Sequence, residues 1–204
     1  MTIADAALTI VGAFLIGSIP FGYLIGRFAY RTDLRKHGSG NIGAMNALRT
    51  LGTKGAVAVL LLDAGKGALA VMIVTLMFGA VSPFPSMAAT CAVLGHCFSP
   101  WLGWKGGKGV ATAFGAIFAL SWPAGLICVG AWLLGALVCT RYSSVGSIFA
   151  MAVSPFALFF FTRLPCPTLF GVYVAFFIVW THRENIVRLR AGTEGPITLF
   201  ERKA

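Results

Sequence analysis

The chain has 204 residues, 58% of them hydrophobic and only 11% charged, with a mean hydropathy of +0.86. Water-soluble domains carry about 25% charged residues, so this composition excludes an ordinary soluble domain and indicates an integral membrane protein of a single domain, 1–204. Sixteen Lys and Arg against six Asp and Glu leave a net charge of +10, an excess that positive cytoplasmic loops, an anionic partner, or both would explain.

A membrane-crossing helix needs about 20 apolar residues. The first apolar run is 7–29. Nothing basic precedes it and Arg27 and Arg31 follow, so it reads as an uncleaved span with its N-terminus outside rather than a secretory signal. Within it, Gly17-Ser18-Ile19-Pro20 predicts a kink. The polar, glycine-rich stretch HGSGNIGAMNALR follows at 37–49. The second run, 55–78, contains Asp63 and Lys66, three apart and so on one helix face. Charges inside a span are costly and turn inward. This pair reads as a neutralising pair or a link to a neighbouring helix, with support beneath a polar site as the rival reading.

The third run is 86–103. Its His96-Cys97 lacks a second pair of ligands and does not make a metal site. The five cysteines (91, 97, 128, 139 and 166) have no paired spacing that suggests a disulfide framework. Lys105-Gly106-Gly107-Lys108-Gly109-Val110-Ala111-Thr112 then leads into an apolar run, 109–139, too long for one helix. Proline removes a helix hydrogen bond, so Ser121-Trp122-Pro123 predicts a tight hairpin of two helices. The first of them, 109–121, is short and begins below the surface or sits in a thinned region. Arg141-Tyr142-Ser143-Ser144, runs at 145–162 and 167–181, and His182-Arg183-Glu184-Asn185 complete the pattern.

Seven spans place the connectors alternately on two sides. One side collects Arg27, Arg31, Arg35, Lys36, Arg49, Lys54, Lys105, Lys108, Arg141, Arg183, Arg188, Arg190, Arg202 and Lys203, fourteen of the sixteen; the other holds Arg163. The expected fold is therefore an all-α integral membrane protein of seven transmembrane helices, N-terminus outside and C-terminus cytoplasmic. The chain carries no inverted repeat of the kind many transporters have.

All four polar stretches fall on the cytoplasmic side, and loops build one site only if they share a compartment. Glycines let backbone approach a ligand closely, successive free N–H groups form an anion nest, and KGGKG opens a helix whose N-terminus favours an anion. Arg49 offers a planar fork for phosphate oxygens and Lys108 a point charge. Ser39, Ser143 and Ser144 add hydroxyl donors. Each loop alone also reads as a turn, a topology charge or a helix cap; their convergence on one side suits a substrate rich in phosphate oxygens.

At these residues the sequence resembles the bacterial acyl-phosphate:glycerol-3-phosphate acyltransferases, the PlsY family. The stretches are GSIPFGYLIGR (17–27), GSGNIGAMNALRTLG (38–52), LLLDAGKG (60–67), GHCFSPWLGWKGGKGVAT (95–112) and HREN (182–185). The pattern departs at Met45, where the family usually has threonine. The resemblance implies transfer of a fatty acyl group from acyl phosphate to the 1-hydroxyl of glycerol 3-phosphate, giving lysophosphatidic acid and phosphate, the first acylation of phospholipid biosynthesis. It implies Ser39, Arg49, Lys108, His182 and Asn185 as catalytic. Gly38, Gly40, Asn41, Gly43, Asn46, His96, Lys105, Gly106, Gly107, Gly109, Ser143 and Ser144 are expected around the substrates. Asp63, Lys66 and Glu184 are expected to be structural, Glu184 pairing locally with a cation.

Acyl phosphate is already activated, so orientation and charge stabilisation suffice for direct transfer without an acyl-enzyme. The proton acceptor is open between His182 and a substrate phosphate oxygen, and the resemblance implies the phosphate. No metal or organic cofactor is expected. The expected partners are acyl phosphate, glycerol 3-phosphate and membrane lipid, with no nucleic acid; functional coupling to the acyl-phosphate-producing enzyme is left open. The expected location is the bacterial cytoplasmic (inner) membrane, with the site facing the cytoplasm. An exporter of a phosphorylated small molecule and a structural membrane component are the alternatives from other classes.

Overall fold

The computed structural model describes residues 3–197, and every regular element among them is helical. Met1, Thr2 and residues 198–204, with Arg202 and Lys203, lie outside the described residues. The first predicted span is α1 (Ile3–Ser18) followed by α2 (Phe21–Leu24), which widens into a π turn over Ile25–Ala29. The expected kink is a full break at Ile19-Pro20. A broken helix leaves carbonyls unpaired, and here they find side-chain partners. Lys66 Nζ donates to the Ile19 carbonyl at 2.7 Å and Ser99 Oγ to the Ser18 carbonyl at 2.7 Å.

Helix α3 (Ala44–Phe78) begins well before the predicted 55, because Ala47, Leu48 and Leu51 in its first turns pack with Leu34 beneath the polar loop. It bends at Gly52, whose φ of 77° lies in the left-handed region that favours glycine. Then come α4 (Phe84–Cys97), α5 (Val110–Leu120), α6 (Trp122–Leu133, extended by a π turn over Leu134–Cys139), α7 (Ser143–Thr162), α8 (Pro165–Thr181) and α9 (Arg183–Arg190). The predicted hairpin break falls at Ser121, whose backbone is extended between α5 and α6.

Among the described residues four stretches are long and apolar enough to cross a bilayer: Ala7–Ala29, Ala44–Phe78, Trp122–Cys139 and Ser143–Thr162. Helix α8 with α9, bent by 56°, makes a fifth if the pair is taken as one span. Helices α4 and α5, of 14 and 11 residues, fall short of that length although each coincides with a predicted apolar run. Both are enclosed rather than lipid-facing. Ala88, Ala89, Ala92, Ala113, Ala116 and Ile117 are fully buried.

Small residues set the helix spacing, as dispersion-driven packing in lipid requires. A β-carbon at Gly17 would overlap the Ala92 carbonyl oxygen between α1 and α4, and one at Gly67 would overlap the Thr112 carbonyl oxygen between α3 and α5. Large apolar side chains such as Leu76, Phe156 and Phe176 face outward, while Asp63, Lys66 and His96 are buried. This inverted distribution is what a bilayer solvent selects.

Candidate functional site

The four polar stretches, though far apart in sequence, line one cavity of about 460 Å³. Its lining is mixed: Ser39, Asn41, Arg49, Lys108, Ser143, Ser144, His182 and Asn185 are polar, and Leu60, Val110, Phe114, Val129, Trp132 and Leu133 are apolar. Such a lining suits a ligand with both an anionic and a hydrocarbon part.

The first loop is organised by Asn46, which is buried on the opening turn of α3. Its Nδ2 group faces the carbonyls of Leu34, His37 and Asn41 at 2.9, 3.0 and 2.7 Å, and its Oδ1 accepts from the Ser39 amide at 2.9 Å. A β-carbon at Gly38 would overlap Asn46 Oδ1. The Gly43 amide donates to Asn41 Oδ1 at 2.8 Å and the Gly40 amide to the His37 carbonyl at 3.0 Å.

The expected anion nest is therefore revised, because the amides of Ser39, Gly40 and Gly43 are engaged inside the loop. The same holds in KGGKG, where the Gly106 and Gly107 amides donate to the Cys97 and His96 carbonyls at 2.9 and 3.1 Å. Glycine is required at 107 because a β-carbon there would overlap His96 Nε2. In both loops the engaged amides shape the polypeptide and side chains present the donors.

Lys108 Nζ donates to Asn185 Oδ1 from the end of this loop, and Gly109, in the left-handed region, starts α5. Burial pushes the Lys108 amine down to about 8, with Arg188 and Arg49 lowering it further. His182 stands at the bend between α8 and α9. Its Nδ1 lies 2.8 Å from the Ile178 carbonyl, so Nδ1 carries the proton and Nε2 the lone pair. Burial and the Lys108 charge push the imidazole down to about 4.

Asp63 Oδ1 lies 2.8 Å from Lys66 Nζ and 3.6 Å from His96 Nδ1. Asp63 and His96 line the cavity, whereas Lys66 turns away toward Ile19. The pair is thus both an internal ion pair and a link to the broken helix. Gly38, Gly40, Lys105, Gly106, Gly107 and Glu184 do not line the cavity, whereas Gly43, Asn46 and Gly109 do.

Two charged lining residues, Arg188 and Glu194, stand outside the site expected from the sequence. In the sequence Arg188 reads only as a topology charge, and Glu194 belongs to no motif. Glu194 Oε2 accepts from Arg188 Nε at 2.7 Å, and Oε1 accepts from Asn185 Nδ2 at 2.6 Å and Ser144 Oγ at 3.1 Å. Burial raises this carboxyl, but the bonds from Asn185, Arg188 and Ser144 outweigh it and hold the group below its ordinary range. Among the described residues Glu194, not the exposed Glu184, makes the local ion pair with a cation. The one available signal was an acidic residue isolated in a basic C-terminal segment.

The family model for glycerol-3-phosphate acyltransferase matches residues 7–192. A glycerol-3-phosphate acyltransferase of Paramagnetospirillum magneticum is 48% identical, over 92% of this chain and 91% of that one. Glycerol-3-phosphate acyltransferase 2 of Thermotoga maritima is 45% identical, over 93% and 95%. The crystal structure of PlsY (YgiH), an integral membrane glycerol 3-phosphate acyltransferase, in its glycerol 3-phosphate form is similar with a TM-score of 0.89 at 38% identity, covering 95% of this chain and 96% of that one. Its lysophosphatidic acid form gives 0.87 at 36% identity over 96% of both chains.

Proposed function

The chain belongs to the glycerol-3-phosphate acyltransferase family, and from that premise we propose that it acylates glycerol 3-phosphate with acyl phosphate at the cytoplasmic face of the bacterial inner membrane. The product is lysophosphatidic acid. The observation that carries this reading is the mixed lining of one cavity, in which Arg49, Lys108 and the serines are joined by Phe114, Val129 and Trp132. Seven spans with the N-terminus outside bring all four polar loops to one side of the membrane, in keeping with their meeting in one cavity.

In the proposed reaction the 1-hydroxyl oxygen attacks the acyl carbonyl carbon, and the bond from that carbon to the phosphate oxygen breaks. Phosphate leaves with the electron pair. Arg49 and Lys108 neutralise the phosphoryl oxygens, and Ser39, Ser143 and Ser144 orient them. Asn185, holding Lys108, sets where that charge sits. The proton passes to a substrate phosphate oxygen. A phosphate monoester with its second pKa near about 6 is a stronger base than His182 at about 4. His182 Nε2 serves instead as a fixed acceptor that orients the hydroxyl. Asp63, Lys66 and His96 support the glycine loop from below.

Purified protein given acyl phosphate and radiolabelled glycerol 3-phosphate tests the reading. Labelled lysophosphatidic acid is the expected product. Uptake of label into vesicles without lipid product would make the protein a transporter instead.

A further inference from the structure

Helix α9 ends at Arg190, and Gly192, with φ of 68°, turns the chain back toward the cavity. Residues 193–197 then cross its mouth without helix or strand. Along this strap the chain is exposed at 193, 195 and 196, yet the Glu194 side chain is only 8% exposed. Its carboxylate is aimed inward, onto Ser144 Oγ, Asn185 Nδ2 and Arg188 Nε.

These donors come from three different places: the start of α7 and two turns of α9. They present a hydroxyl, an amide and a guanidinium to two oxygens of one anion, which is how a phosphoryl group is bound. Two of the three belong to the expected site, Asn185 as a catalytic residue and Ser144 among those around the substrates. Asn185 is also the residue that holds Lys108. The other attachments of the strap are of the same kind. Arg49 Nη2 donates to the Gly195 carbonyl at 3.0 Å, and the Ile197 amide donates to the Arg141 carbonyl at 2.8 Å. Glu194 and Asp63 are the two carboxylates among the described residues on the cavity wall, and Asp63 is committed to Lys66.

We propose that residues 193–197 form an internal competitor for substrate: the Glu194 carboxylate occupies an oxyanion position that a phosphoryl group takes in the working enzyme, and the strap leaves about Gly192 as substrate enters. This rests on the reading that the cavity receives phosphorylated substrates. A phosphate dianion and a carboxylate repel each other at such range, so the two cannot share Ser144, Asn185 and Arg188. Substrate arrival also draws Arg49 away from Gly195. The strap therefore loses most of its attachments in one event, while the cavity stays covered and its cations stay neutralised when empty.

The test compares wild type with Glu194→Gln and Glu194→Ala in the full chain. For both variants the KM for glycerol 3-phosphate and the inhibition constant for inorganic phosphate should fall about three- to tenfold, the size of one partly exposed charge pair, with kcat changed less than about twofold. Unchanged constants overturn the proposal. A raised KM with reduced kcat also overturns it and makes Glu194 a positioning residue for Asn185 and Arg188. A second measurement needs neither variant nor turnover. In a background lacking the native cysteines, Ile197→Cys should react faster with an aqueous maleimide when inorganic phosphate is saturating; an unchanged rate refutes strap release. Wild type that makes no lysophosphatidic acid refutes the functional reading, and the labelling arm still decides the strap.

Discussion

Arg49 Nη2 donates to the main-chain carbonyl of Gly195 at 3.0 Å, joining residues 146 apart in sequence across the mouth of the cavity. The guanidinium stands at the rim, on the first turns of α3, where its remaining N–H groups are available to a ligand. A planar fork and a point charge differ most in such a position. Arg49→Lys should therefore lower kcat/KM for glycerol 3-phosphate about ten- to a hundredfold, since bonds to charged groups contribute about 1.5–3 kcal/mol. Steady-state kinetics on the folded variant check this, and unchanged efficiency would reduce Arg49 to a topology charge.

Ser39 lines the cavity, and its amide is held by Asn46 Oδ1 at 2.9 Å. Among the described residues no His or carboxylate is hydrogen-bonded to its hydroxyl, and a nucleophilic serine needs such a base. It is expected to orient phosphate instead. A hydroxyl bond to a charged group is worth about 1.5–3 kcal/mol, so Ser39→Ala should lose about ten- to a hundredfold in rate. Mass spectrometry of wild type incubated with acyl phosphate alone should find no acyl group on the protein. An adduct on Ser39 that glycerol 3-phosphate discharges at the turnover rate would make it the nucleophile.

Lys108 gives the site a pH limit. Its amine is pushed down to about 8, first by burial and then by Arg188 and Arg49. It is therefore charged below pH 8 in the free protein and neutral above, so the attraction for phosphate is present at neutral pH and fades as pH rises through that value. Equilibrium binding of glycerol 3-phosphate should weaken across pH 7 to 9, with Lys108→Arg, charged throughout, giving a flatter profile. Binding by wild type that is constant to pH 10 would show that Lys108 does not supply the charge.

The positive loops carry a prediction about sidedness. In a chain lacking its native cysteines, Ser82→Cys, between α3 and α4, should be labelled from outside the cell. Lys105→Cys, between α4 and α5, should be labelled only from inside. The motive is the crowding of fourteen of sixteen Lys and Arg onto one set of connectors. Labelling of both from one side would end the seven-span topology and leave α4 as a helix that enters without crossing.

What the sequence determined by itself was local. Apolar runs marked the helices, although α3 starts earlier than its run, Pro20 and Pro123 marked the two breaks, and the charge distribution predicts a side for each loop, because burial in lipid and proline geometry act within a few residues. The four polar stretches were legible for the same reason, each being costly where it stands. The tertiary structure alone decided what those stretches do to one another. Composition made the loop amides look available to an anion, but folding brings Asn46 and the end of α4 against them, so side chains present the donors instead. Helices α4 and α5 were read as spans from hydropathy, and only packing shows that small residues enclose them at the centre. Glu194 carried only a weak local signal, an acidic residue in a basic segment. Its meaning lies in Ser144, Asn185 and Arg188, which meet only because the start of α7 and helix α9 come together at the cavity, and a contact fixed by helix packing leaves no trace in the spacing of residues along the chain.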